Sequence, residues 1–95
     1  MIDFKCEWAT HKLMGPLKTV ELDDNTLIIL DFLRQAFEFN FKMTLKELFQ
    51  YTEFETEDSF QNSLLIIDEK LNECGSKFKL RCKDDLIFIY LLKSS

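Results

Sequence analysis

Of the residue types on which many small catalytic sites depend, this 95-residue chain holds one histidine, two glycines and three cysteines. Two glycines, Gly15 and Gly75, cannot build the glycine-rich loop that turns backbone N–H groups toward a phosphate. His11 stands alone, with no Ser-His-acid or Cys-His set to support nucleophilic catalysis. Cys6, Cys74 and Cys82 are an odd count without C-x-x-C spacing. That excludes a disulfide scaffold and fits a reducing compartment. A Cys3His zinc site from Cys6, His11, Cys74 and Cys82 would lack the paired close spacings of structural zinc sites. Each cysteine instead fits a core-facing position. No run of 18 apolar residues exists, so no membrane-spanning helix is expected. Met1–Trp8 carries Asp3, Lys5 and Glu7 where a signal peptide needs an apolar run. The expectation is a cytoplasmic protein with neither metal nor cofactor.

Scarcity continues in Gly, Ala, Arg and Pro, which together supply seven residues, while Phe alone supplies ten. Those four scarce types have GC-rich codons. The coding sequence therefore points to an AT-rich genome, as in many phages, viruses and low-GC bacteria. Repeats, low-complexity tracts and linkers are all lacking. One domain is expected over 1–95, with an N-terminal strand and loop at 1–22 and a core at 23–93.

Charge is unevenly spread. The net value is −5. Residues 43–76 hold eight carboxylates and two lysines, a balance of −6, whereas residues 77–95 balance to +3. Nucleic-acid readers usually carry the opposite sign on the reading helix.

Ile2, Phe4, Cys6 and Trp8 alternate with polar residues, the signature of a half-buried strand. A second short strand is expected within Leu17–Leu22. Asp23-Asp24-Asn25 supplies cap chemistry for a helix running to about Phe39. Its polar stripe is Asp31, Arg34, Gln35 and Glu38, and the remaining arc is so widely apolar that the helix should be central. Asn40 suits a left-handed helix end. Thr44 and Glu47 form a capping box for a short helix ending near Tyr51. Phe54 is expected to anchor the connection. A longer helix then runs from Glu55 or Thr56 to Cys74, with Phe60, Leu64, Ile67, Leu71 and Cys74 as its core stripe and Gly75 as its C-terminal cap. Phe78, Leu80 and Cys82 alternate with Lys77, Lys79, Arg81 and Lys83. Asp84-Asp85 makes a tight turn before Leu86–Leu92, seven apolar residues in a row. Such a strand is covered on both faces or meets a partner with one of them. Asp3 and Glu7 would pair across strands with the basic side of 77–83, placing the N-terminal strand in the hairpin's sheet.

This order of helix, short capped helix, longer helix, Gly and hairpin resembles a winged-helix domain with its helix-turn-helix. The segment Thr44–Thr52 is similar to the first helix of that motif, and Phe54, Phe60, Leu64 and Ile67 fall where its apolar residues pack. The likeness is one of fold alone and covers about three quarters of the chain. Glu53 departs from it where a small residue is usual, and residues 1–22 are an addition. The implied fold class is α+β: a three-helix core, a C-terminal antiparallel hairpin, and the N-terminal strand joining its sheet. In such domains the second helix of the motif often enters the DNA major groove while the wing touches the backbone.

Carried over by position, the resemblance puts Glu57, Asp58, Gln61, Asn62 and Leu65 on the reading face. Gln61 and Asn62 suit adenine edges. Glu53, Glu55, Glu57 and Asp58 repel phosphates. The acidic set with Gln61, Asn62 and Leu65 therefore points to a protein partner. The competing reading is a solvated helix start favoured by the helix dipole, with Leu65 packed on the 9–22 loop. Gln61, Asn62, Lys77, Lys79, Arg81 and Lys83 form the DNA-binding alternative, although no aromatic interleaves on the basic side. Acid pairs such as Asp23-Asp24, Asp68-Glu69 and Asp84-Asp85 fall at caps, turns and helix surfaces, so no enzyme is expected. The leading expectation is a small interaction module, of the kind by which a phage or virus captures a host protein. The alternative is a winged-helix transcriptional regulator. Strand 86–92, if at a sheet edge, would also invite a homodimer or a docked partner.

Overall fold

A computed structural model describes residues 2–92. The described residues are α+β, with three helices and two three-stranded antiparallel sheets. The first sheet runs in order β1 (Lys5–Glu7), β2 (Lys12–Met14), β3 (Thr19–Glu21). Helix α1 follows (Asp24–Glu38), then β4 (Met43–Thr44), α2 (Leu45–Tyr51), α3 (Glu57–Glu73), β5 (Phe78–Lys83) and β6 (Leu86–Leu91). The second sheet is ordered β4-β6-β5. Lys93, the expected end of the core and hairpin, lies outside the described residues. No described helix is long and apolar enough to cross a membrane.

Helix α1 forms where its cap chemistry allows. The Asp23 carboxylate accepts from the Thr26 N–H at 2.8 Å, and Asn40 takes φ +55° just beyond the other end. Its polar stripe is knitted together. Arg34 donates to Asp31 at 2.9 and 3.0 Å and to Glu38 at 2.8 Å, while Gln35 donates to Asp31 at 2.8 Å. Leu27, Ile29, Leu30 and Leu33 are fully buried. This is the expected central helix, packed against β6, α3 and β1.

The capping box at Thr44 and Glu47 is present in both directions: the Thr44 N–H donates to Glu47 Oε1 at 3.0 Å and the Glu47 N–H to Thr44 Oγ1 at 3.1 Å. On α3 the expected stripe of Phe60, Leu64, Ile67, Leu71 and Cys74 is buried throughout. Gly75, at φ +88°, ends that helix.

The N-terminal strand does not join the hairpin's sheet. It pairs with β2, a strand absent from the sequence reading, which pairs in turn with β3. The reason is local. His11, at φ +53°, folds the chain back on itself after Glu7, so β1 meets its own continuation first. The β2–β3 connection docks instead on the end of α3, where the Leu17 and Lys18 N–H groups donate to the Cys74 carbonyl at 2.9 and 3.4 Å. The expected pairing of Asp3 and Glu7 with basic side chains is replaced by backbone capping. Asp3 accepts from Ser76 Oγ at 2.6 Å and from the Lys77 N–H at 2.8 Å, and Glu7 accepts from the Ala9 N–H at 3.2 Å.

Strand β6 is not an edge strand at its start: Ile87 pairs with Met43 and Leu86 with Thr44. Past Ile87 no described strand runs along that side. An edge available for self-association is thus limited to the second half of β6. On the other side of the sheet the edge is β5, and it is blunted. The Phe78 N–H donates to Ser76 Oγ at 3.1 Å and the Leu80 N–H to Asp68 Oδ1 at 3.1 Å, leaving few free donors for another strand.

Two substitutions test these supports. A Cβ on Gly15 would stand 2.4 Å from both the carbonyl oxygen and Sγ of Cys74. We expect Gly15→Ala to lower unfolding free energy by about 1–3 kcal/mol, the usual cost of overpacking. Thr44→Ala, which removes a cap, should lose about 1 kcal/mol. Urea denaturation followed by circular dichroism measures both. An unchanged midpoint for Gly15→Ala would show that the β2–β3 connection does not dock on α3.

Candidate functional site

The acidic turn is positioned by aromatic packing beneath it. Phe49 of α2 and Phe54 of the connection both meet Phe60 of α3 edge-on, at ring-centroid distances of 5.3 and 5.7 Å. With Phe54 drawn inward, its neighbours Glu53 and Glu55 face water. Thr56 then caps α3, its Oγ1 accepting from the Ser59 N–H at 3.1 Å. Glu57 and Asp58 fall in the first helical turn, where the helix dipole favours negative charge.

Glu53, Glu55, Glu57, Asp58, Gln61, Asn62 and Leu65 are all exposed. Glu57, Gln61 and Leu65 descend one side of α3 at intervals of four, with Asp58 and Asn62 on the adjoining side. Among the described residues, none of the four carboxylates makes an ion pair. Leu65 does not pack on the 9–22 loop, since 70% of it is exposed. Ile66 beside it and Tyr51 at the end of α2 are exposed as well.

A groove of about 770 Å³ opens between α2, the start of α3 and the hairpin tip. Leu45, Phe49 and Phe60 give it an apolar floor, while Glu57, Gln61, Lys46 and Asp85 stand on its walls. Sequence reasoning found Glu57 and Gln61 but missed the others. The Asp84-Asp85 turn was legible; its approach to α2 was not. That approach depends on the Leu45 N–H, which donates to the Asp85 carbonyl at 2.8 Å. The turn extends the acidic surface toward α3.

The basic alternative lies elsewhere. Phe78, Ile87 and Ile89 are buried, and Phe78 meets Phe37 of α1 edge-on at 4.9 Å. By strand alternation, Lys79, Arg81 and Lys83 therefore lie on the opposite face of the strand from Phe78, although Lys83, Leu86 and Phe88 also border a groove with Ala36, Phe37 and Phe41. One of them, Lys79, touches α3, donating to Asn72 at 3.4 Å. Asn72 lies about three helical turns from Gln61. The expectation that this face lacks aromatics is wrong. The β5–β6 register sets Arg81 opposite Phe88 and Lys79 opposite Tyr90, and cross-strand partners share a face.

The cysteines do not gather. Cys74 is buried, Cys6 half-buried and Cys82 exposed, so Cys82 is not the core residue its alternation implied. It lies near the hairpin's turn, at the distal end of β5. His11 pairs with Asp24, and no three His, Cys, Asp or Glu side chains cluster as a metal site among the described residues. Burial pushes the Cys6 thiol up to about 12, with Asp31 adding to the rise. Burial also raises the thiols of Cys74 and Cys82. A raised thiol pKa keeps sulfur neutral at ordinary pH, and the thiolate is the nucleophile. Native protein should therefore react with a thiol reagent at Cys82 first. Its rate should climb with pH without levelling off below pH 9, while Cys6 and Cys74 react after denaturation. Mass spectrometry of partially labelled protein reads the order; rapid native labelling of Cys6 would contradict it.

Comparison of the chain with protein-family models, with curated proteins and with solved structures finds no match.

Proposed function

We propose that the protein is a non-enzymatic interaction module whose acidic α2–α3 face binds a basic segment of another protein. The observation that carries this reading is the set Glu53, Glu55, Glu57 and Asp58: exposed, without ion pairs among the described residues, and beside an apolar-floored groove. An unneutralised cluster of like charge selects cationic partners and steers their approach. The apolar floor and exposed Leu65 offer the desolvated contact area from which affinity comes. Charge sets the choice of partner, and Phe49, Phe60 and Leu65 set the strength.

The chain order α1, β4, α2, α3, β5–β6 supports a winged-helix arrangement for residues 23–92. In that frame α3 would be the reading helix and the β5–β6 hairpin the wing. Here α3 begins with carboxylates and the hairpin tip is Asp84-Asp85, so the surface that would meet phosphates repels them. An intracellular phage or viral regulator that occupies a host protein fits the size, the acidity and the AT-rich coding.

The test is a reversal of charge at positions that support no packing. Glu55→Lys, Glu57→Lys and Asp58→Lys together should keep the fold and a cooperative melt, lowered by no more than about 12 °C, since surface changes rarely exceed about 0.5 kcal/mol each and 1 kcal/mol shifts the midpoint of so small a domain by roughly 4–8 °C. They should abolish recovery of the partner from lysate of the host. A partner retained equally by both proteins would refute the acidic face as the binding surface.

A DNA-binding regulator is the second reading, supported by the same chain order. It requires Gln61 and Asn62 at base edges with Lys77, Lys79, Arg81 and Lys83 on the backbone. A gel-shift series with duplex DNA at decreasing salt should show no complex if the carboxylates dominate. Duplex binding that Gln61→Ala weakens at one base position would instead establish it.

A further inference from the structure

The face of the β5–β6 hairpin opposite to Phe78, Ile87 and Ile89 is a two-row ladder. On β5 stand Lys79, Arg81 and Lys83; opposite them on β6 stand Tyr90, Phe88 and Leu86. The ladder continues by one rung, because the Leu92 N–H donates to the Lys77 carbonyl at 2.8 Å. Every β5 position on this face is therefore cationic and every β6 position apolar, two of them aromatic. The rings of Phe88 and Tyr90 lie 6.4 Å apart, at 60° to each other. Among the described residues no carboxylate forms an ion pair with Lys77, Lys79, Arg81 or Lys83.

We propose that this face binds single-stranded nucleic acid, with bases on Phe88 and Tyr90 and phosphates on the β5 cations. Alternate residues of a strand repeat at about 6.8 Å, so the cations form an evenly spaced row beside an evenly spaced row of rings. A single strand with unstacked bases presents that pair of rows: charge along one side, π-faces along the other. Stacking on aromatics beside a basic groove is how such strands are held without sequence preference. Duplex is not suited, because its bases are already stacked inside and cannot reach the rings. An anionic membrane would also attract the cations. It has no use for the matched periodicity. The row from Lys77 to Lys83 spans about 20 Å and ends at Asp84 and Asp85, so the footprint is a few nucleotides. This surface is separate from the acidic α3 face, and neither proposal depends on the other.

Fluorescence anisotropy on the intact chain tests it, using end-labelled 15-mers of deoxythymidine and of uridine at low salt. Both separate DNA from RNA as the better ligand, and saturable binding of either supports the proposal. Affinity should fall with salt at a log–log slope of roughly −2 to −3, as three or four phosphates engaged on a single strand require. Tyr90→Leu keeps apolar volume but removes a stacking face, and should weaken binding roughly tenfold. Lys79→Gln, Arg81→Gln and Lys83→Gln together keep the length of each side chain close to native while removing its charge, and should abolish it. The Glu55, Glu57 and Asp58 reversal should bind at least as well as wild type, which keeps this outcome distinct from that of the acidic face. Absence of oligonucleotide binding at low salt overturns the proposal. So does binding that Tyr90→Leu leaves unchanged while duplex competes equally, which would indicate charge alone. Binding to vesicles of phosphatidylserine and phosphatidylcholine without oligonucleotide binding would assign the face to lipid and overturn it as well.

Discussion

The register of the β5–β6 hairpin is the constraint on which the rest of the molecule depends. Asp84 and Asp85 both adopt positive φ, +52° and +67°, the backbone of a two-residue turn whose twist matches the flanking strands. That turn sets Lys83 opposite Leu86 and carries the pairing to Phe78 opposite Leu91. Ile87 and Ile89 then face α1, and Met43 finds Ile87. The Asp85 carbonyl receives the Leu45 N–H, which fixes where α2 starts and therefore where the groove opens. A slip of one residue would turn Ile87 and Ile89 to water and Phe88 and Tyr90 inward. It would also scatter the cation row relative to the rings.

Charge follows from the same geometry. The turn residues tolerate left-handed backbone better than most L-residues do, and being aspartates they add negative charge beside Glu57. The carboxylates that open α3 are favoured there by the helix dipole. Together they make the end of the molecule near the hairpin tip acidic. Along β5, by contrast, Asp3 and Asp68 are engaged with backbone N–H groups of that strand and its lead-in, and the cation row meets carboxylates at its end, Asp84 and Asp85. Two oppositely charged surfaces result, and they meet at the hairpin tip, where Lys83 is followed by Asp84 and Asp85.

Legibility in the sequence tracked how local each determinant is. Helix α1, the Thr44 box and the α3 stripe depend on residues three or four apart, and all three were readable. So were the left-handed Asn40 and Gly75 at φ +88°. Strand β2 was hidden because His11, not glycine, makes the turn before it, and three-residue strands leave little alternation to detect. Strand β4 is two residues long and exists only because Ile87 lies beside it. The acidic residues of the candidate site were legible one by one. The groove beside them was not, since Asp85 meets α2 from forty positions away. The two faces of β6 were the least accessible: seven apolar residues in succession carry no alternation, so their division into inner and outer sets appears only with the partner strand in place.

That outer set raises a question of solubility as well as of binding. A run such as Leu86–Leu92, half-buried on one side, is a hazard for aggregation, and flanking charges commonly guard such strands. Guarding alone does not require a particular sign. In a chain with 17 carboxylates against 12 lysines and arginines, either charge would have served, and a mixture would have balanced itself. The ladder instead uses Lys77, Lys79, Arg81 and Lys83 without interruption, and their carboxylate neighbours are spent on backbone capping. The edge of β5 is closed by Ser76 and Asp68 while its face is left open. The side of β5 is sealed at Ser76 and Asp68, whereas β6 past Ile87 is paired on that side by no described strand, so a ligand of the proposed kind, lying across the β5 cations and the two rings, would not compete with one that extends the sheet at β6.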